Sequence, residues 1–203
     1  LDVHTSMEEY AQAKENIFSH QGPGDLAIFN QDNDLTRAMA ERAPGRVMKF
    51  SRRSALEEGT YVEHGMIYVA HNGQKRPLFS TDRILIPGQH NVENYLAAIA
   101  AVQGMVSDEV ILHTAETFPG VEHRIELVRT KDGVRYYNDS IASSPTRTIA
   151  GLRSFHQKVI LIAGGYDKKI PFDVLGKEVQ DHVKTLVLTG HTAEKIRQAV
   201  VQA

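Results

Sequence analysis

The chain has 203 residues, room for one large domain or two small ones, and 41% of them are apolar, enough to build a core. Formal net charge is only -2 with both signs interspersed, which excludes the basic footprint of a nucleic-acid binder and a polybasic membrane patch. There are no cysteines, so disulfides, thiol catalysis and cysteine-ligated zinc are ruled out, and no run approaches the roughly 20 apolar residues of a membrane span.

In chain order, Ser6 and Glu9 make a capping box that predicts a helix through about His20. DLAIFN (25–30) reads as a buried strand, QDNDLTRAMAERA as a turn and a helix capped by Asp34, and RVMKFS as the next strand. Short alternating strands follow from Gly59 to Pro87: TYVEHG, MIYVAH, RPLFS and RILIP, with Asn72-Gly73 as a hairpin turn. Two helices are expected at about 91–104 and 108–117. In the first, GQHNVENYLAAIAAV (88–102), Asn91 is an ordinary N-cap, whereas Asn94 is an amide on the same side with no capping duty.

PGVEHR (119–124) reads as a hinge where the pattern restarts. RIELVRT and VRYYND form a hairpin across Lys131-Asp132-Gly133. Ser144 then caps a helix with Pro145 at its first position. KVILIAGG, a helix near 173–182, TLVLTG and a helix from about Thr192 complete an alternating series, which argues for a mostly parallel α/β sheet. In such sheets ligands sit where strands run into loops, here Ala163-Gly164-Gly165 and Thr189-Gly190. The chain opens on LDVH and stops at VVQA within a helical pattern, so both ends read as cut from a longer enzyme.

Four stretches carry a resemblance: GQHNVENYLAA, GVEHRIE, RYYNDSIASSPTRTI and LIAGGYDKK, preceded by HTSMEEYAQAKENIF, all in order along the whole chain. Together they resemble the ATP-dependent Mur ligase family of cell-wall synthesis. The resemblance implies an α/β fold, with residues 1–120 the latter part of a central ATP-binding domain and 121–203 the first part of a Rossmann-like C-terminal domain. No GxxGKT/S phosphate loop occurs in the sequence. The family's sugar-nucleotide domain and the end of its last domain are also unmatched, so the chain alone is expected to be inactive.

Each candidate residue has a structural and a functional reading. An amide matches the donor and acceptor on the adenine edge, and in the Mur ligases the counterparts of Asn91 and Asn94 lie beside the nucleotide. Lys14 by itself reads as a solvated lysine on an exposed helix face. The resemblance makes it the lysine carbamylated by CO2, an anion with two hard oxygens suited to Mg2+. The histidine that shares this metal in the family would lie just before Leu1. A lone Arg124 reads as a surface residue; the resemblance makes it the arginine that reaches across the interdomain cleft toward the ATP phosphates. Asp139 reads equally well as a turn aspartate or, by resemblance, as the carboxylate near the ribose hydroxyls. Many of these ligases have NDSKAT where this chain has NDSIAS, so Ile141 replaces a lysine and charge must come from elsewhere, from Arg147 or Lys168. Ser143 takes the place of a threonine that contacts D-glutamate. Lys168 resembles the lysine that pairs with the γ-carboxylate of D-glutamate, with Lys169 adjacent as the alternative.

The implied activity is an amide-forming ligation of D-glutamate to UDP-N-acetylmuramoyl-L-alanine with ATP and Mg2+, in the cytoplasm, by a protein that is monomeric at full length. No nucleic-acid or membrane partner is implied. The rivals are another Mur ligase, a folylpolyglutamate synthase-like ligase sharing HNxxN and the hinge arginine, and a non-catalytic α/β binding module.

Overall fold

A computed structural model describes residues 4–203. Helix α1 (Met7–Glu15) starts at Ser6, whose side chain accepts from Glu9 N. The reciprocal half of the capping box is displaced by one residue, because the Glu9 carboxylate accepts from Thr5 N at 2.7 Å. The helix stops well short of His20. Residues 17 and 18 close tighter i to i+3 bonds, and these turn Phe18 into the core against Phe29, edge to face at 5.2 Å.

Strands β1 (Leu26–Asn30) and β2 (Arg46–Ser51) are joined through helix α2 (Asp34–Ala40), and β3 (Gly59–Glu63) follows. β1–β2 and β2–β3 pair in parallel. β4 (Met66–His71) and β5 (Gln74–Ser80) then add antiparallel, giving one sheet in the order β1-β2-β3-β4-β5. The β4–β5 turn is as expected: Asn72 and Gly73 both take positive φ, as a two-residue hairpin demands. Two expectations fail locally. Asn33, not Asp34, caps α2, because it is the Asn33 oxygen that reaches Thr36 N. RILIP is no strand: Thr81–Arg83 form a 3-10 turn, and the Leu85 N–H is spent on the carbonyl of Ala115 in the helix α4 (Asp108–Thr117). Tyr61, Ile67, Leu96 and Ile99 are buried in this sheet-and-helix core, the last two from helix α3 (Gln89–Ala101).

The remaining strands form two separate small sheets rather than one parallel sheet. β6 (Glu126–Lys131) and β7 (Val134–Asn138) make an antiparallel hairpin across Asp132-Gly133. β8 (Val159–Gly165) and β9 (Val183–Gly190) pair in parallel. Helices α5 (Pro145–Leu152), α6 (Leu175–His182) and α7 (Ala193–Val201) accompany them. Leu152, Leu175, Val179 and Ile196 bury the helix faces, with Leu161, Ala163, Leu186 and Leu188 of the strands packed against them. Ser144 and Pro145 begin α5 as expected.

By contacts the chain falls into two compact units, one running up to Leu85 together with Asn91–Thr117, the other Ile86–His90 with Phe118–Ala203. Among the described residues no helix is long and apolar enough to cross a membrane.

Candidate functional site

In the first unit, the parallel pairing of β1 and β2 brings their C-terminal ends, Asn30 and Ser51, to one edge of the sheet, the edge where α/β folds place ligands. Asn30 Oδ1 accepts from Asp32 N at 2.8 Å. Asp32 then accepts on both oxygens, from Ser51 Oγ at 2.6 Å and Arg52 N at 2.7 Å. Ser51 is fully buried, and its oxygen also takes the N–H groups of Arg53 and Ser54. Arg52 Nε donates to Glu93 Oε1 at 3.1 Å, which ties this edge to helix α3. Farther along α3, the buried Thr60 hydroxyl donates to the Leu96 carbonyl at 2.8 Å.

Both candidate asparagines lie on α3. The helix begins at Gln89, so Asn91 is its third residue and not its N-cap. Gly88 at φ 107 breaks the backbone just before it, and the helix starts two residues earlier than the sequence suggested. Asn91 is buried, Asn94 is exposed, and Asn94 Nδ2 donates to Asn91 Oδ1 at 3.2 Å. The pair is therefore prearranged, and the exposed Asn94 amide can present an acceptor and a donor side by side.

Lys14 stands in the last turn of α1, exposed, with Nζ 5.4 Å from the Tyr10 ring centroid. α1 buries no residue. Among the described residues no three His, Asp or Glu side chains cluster to hold a metal. A carbamate at Lys14 would be a single ligating group, so the described residues do not make a magnesium site by themselves.

In the second unit, Arg124 sits in a turn between His123 and Ile125, both at positive φ. A left-handed β-branched residue such as Ile125 is strained and needs outside support. Asp139 supplies it, accepting from Ile125 N at 3.1 Å. The local Asx turn that the sequence offered to Asp139 belongs instead to Asn138, which accepts from Ser140 N. Gly151 of α5 makes room: a Cβ there would lie 2.8 Å from Asp139 Oδ2. Burial pushes the Asp139 carboxyl up from its ordinary range, against the bond from Ile125 and the charges of His90 and Arg124, which pull it down.

That shift has a consequence for stability. Unfolded, the carboxyl ionises at its ordinary value of 3.8; folded, it holds its proton to higher pH. The proton's stabilising contribution is complete below the ordinary value and is lost as pH rises through the folded value. At neutral pH the desolvated charge is a cost. Asp139→Asn keeps an acceptor for Ile125 N, so the thermal midpoint of the full-length protein at pH 7 should rise, by on the order of a degree or two. A fall at pH 7 would contradict this.

Lys168 Nζ donates to Ser143 Oγ at 3.0 Å, so these two candidates meet across 25 residues of sequence. Asp167 anchors the lysine's loop, accepting from Lys169 N at 2.8 Å and pairing with Lys195 on α7. Gly164 does not free space for a ligand, because its missing Cβ is filled by the Thr189 carbonyl of β9, 1.7 Å from where that atom would be. Arg147 Nη1 donates to the Ile141 carbonyl at 3.3 Å, which puts a guanidinium beside the position where the related pattern has a lysine. Sequence reasoning missed Asp32, Arg52 and Glu93. The acid-rich turn QDND after a strand was their only local signal.

Comparison with known proteins identifies the family. The Mur ligase middle domain matches residues 1–102, and the Mur ligase glutamate ligase domain matches residues 123–203. A protein of Acetivibrio thermocellus named UDP-N-acetylmuramoylalanine--D-glutamate ligase is 56% identical over 98% of this chain. One of the same name in Clostridium beijerinckii is 51% identical over 97% of it. The chain spans 43% and 42% of those two relatives' lengths. Among solved structures, MurF from Acinetobacter baumannii shares the fold at a TM-score of 0.67 and 20% identity, covering 97% of this chain and 45% of that one. Folylpolyglutamate synthase from Mycobacterium tuberculosis does so at 0.63 and 14%, covering 100% and 49%. With two family domains matched in order over nearly its whole length, the chain belongs to the Mur ligase family.

Proposed function

We propose that the full-length protein is a cytoplasmic, monomeric ligase that uses ATP to join D-glutamate to UDP-N-acetylmuramoyl-L-alanine in cell-wall precursor synthesis. The observation that carries this reading is the Lys168–Ser143 pair, an ammonium and a hydroxyl 3.0 Å apart, in a chain whose relatives bear the D-glutamate ligase name. Residues 1–120 are taken as the latter part of the central ATP-binding domain and 121–203 as the first part of the ligase domain.

In this reading Asn91 and Asn94 take the adenine edge and Asp139 the ribose hydroxyls. Arg124 meets phosphate charge with a fixed cationic fork. The terminal phosphoryl group of ATP passes to a carboxylate oxygen of the sugar-nucleotide substrate, leaving ADP and an acyl phosphate. The neutral amine of D-glutamate attacks the carbonyl carbon and gives up a proton. The tetrahedral intermediate then expels phosphate as its C–O bond breaks, and the amide remains. Lys168 and Ser143 hold the incoming D-glutamate by its side-chain carboxylate, so their contribution is orientation and charge neutralisation. Lys14, as a carbamate, adds an anionic group. The family's Mg2+ needs donors beyond those described here, and no step is assigned to it.

The test is phosphate release by the full-length protein, expected only when ATP, UDP-N-acetylmuramoyl-L-alanine and D-glutamate are all present. The 203-residue chain alone should show none. Release independent of D-glutamate would overturn the reading. Asn94→Ala should raise the KM for ATP about fivefold, the cost of about one hydrogen bond, and leave that for D-glutamate unchanged.

A further inference from the structure

Among the described bonds, two tie helix α3 to the sheet and to the segment just after β2. Thr60 bonds the Leu96 carbonyl in the middle of the helix, and Arg52 bonds Glu93 near its start. The start needs the second tether more, because the first turn of any helix lacks half of its internal hydrogen bonds and frays first. Glu93 immediately precedes Asn94, the exposed amide of the pair, so what fixes Glu93 fixes Asn94. Arg52 is itself fixed. Its backbone N–H is bound by Asp32, which also takes the hydroxyl of the fully buried Ser51. Both partners of the ion pair are half-buried, with side chains 28% and 29% accessible, so salt screens it somewhat less than a fully exposed pair.

We propose that Arg52, acting through Glu93, is a positioning residue of the nucleotide site that holds the first turns of α3 so that Asn94 meets the adenine edge. This rests on the assignment of Asn94 to adenine. The contact is made by Nε, the inner nitrogen of a planar guanidinium, and a lysine ammonium on a flexible stem does not reproduce it. Arg52→Lys is therefore expected to behave like Arg52→Ala.

The test is a double-mutant cycle in the full-length protein, reading the KM for ATP, the KM for D-glutamate and the thermal midpoint. Arg52→Ala should raise the KM for ATP about threefold and leave that for D-glutamate unchanged. Because Arg52 acts only through Asn94, adding Asn94→Ala should bring the effect to about fivefold, the value for Asn94→Ala alone, and not to the product of about fifteenfold. Glu93→Gln, which keeps the shape and removes the charge, should trace the same cycle and replaces Arg52→Ala if that variant does not fold. An additive fifteenfold effect, or an ATP constant untouched by both Arg52→Ala and Glu93→Gln, overturns the inference alone. An ATP constant untouched by Asn94→Ala overturns the adenine assignment, and the inference with it.

Discussion

Lys14→Ala in the full-length protein is expected to lower turnover by about a hundredfold, the upper range for losing a group that supports a metal or its ligands. On the proposed reading the side chain becomes an anion by reaction: its neutral amine adds to CO2 and sheds a proton, giving a carbamate whose two oxygens are of the kind Mg2+ accepts. Alanine removes that group and leaves a space of about its size. A short carboxylic acid in solution should fill the space and restore part of the activity. Lys14→Arg should be as damaging as Lys14→Ala, because a guanidinium keeps the positive charge and cannot become the carbamate.

The structure adds a contrast within the same prediction. Here Lys14 lies exposed beside the Tyr10 ring, 5.4 Å from its centroid, and no three His, Asp or Glu side chains cluster among the described residues to hold a metal that would stabilise a carbamate. The 203-residue chain by itself should therefore hold an ordinary ammonium. A carbamate resonance from 13C-bicarbonate should appear with the full-length protein and Mg-ATP, and not with this chain. Near-normal activity of Lys14→Arg, or the absence of that resonance from the complete enzyme, would defeat the assignment.

The sequence was a good guide wherever a feature depends on neighbouring residues. Asn72-Gly73 and Asp132-Gly133 mark their hairpins because few other pairs accept two consecutive positive φ values. Ser144-Pro145 marks the start of α5 for an equally local reason. It failed where a tertiary partner decides. RILIP alternates like a strand, yet Leu85 gives its N–H to Ala115. The first helix has the composition to continue, yet Phe18 leaves it to meet Phe29. Asn33 and Asp34 are both good caps, and only the reach to Thr36 N chooses between them. At the site, the Asp32–Ser51 and Arg52–Glu93 bonds join residues 19 and 41 positions apart, and no local pattern announces such pairs. Ser143 and Lys168 could be joined beforehand only through the resemblance.

Lys168→Ala should raise the KM for D-glutamate by on the order of ten- to a hundredfold, the worth of a charge-assisted hydrogen bond to a carboxylate, with little change in the KM for ATP. Two adjacent lysines make the sequence ambiguous by one residue, and their surroundings differ. Lys168 extends from the end of the β8 loop to Ser143 Oγ. Lys169 takes a left-handed φ of 58, its N–H is held by Asp167, and it lines a depression with Phe172, Lys195 and Gln198. Lys169→Ala should accordingly change the D-glutamate constant by no more than about twofold, the range of an exposed charge. Ser143→Ala should fall between the two, at about fivefold, since one neutral hydrogen bond is lost and the ammonium remains. The order of the three effects is the measurement. If Lys169→Ala exceeds Lys168→Ala, the substrate carboxylate is held one residue farther along, and the pairing of Lys168 with Ser143 belongs to the fold and not to the reaction.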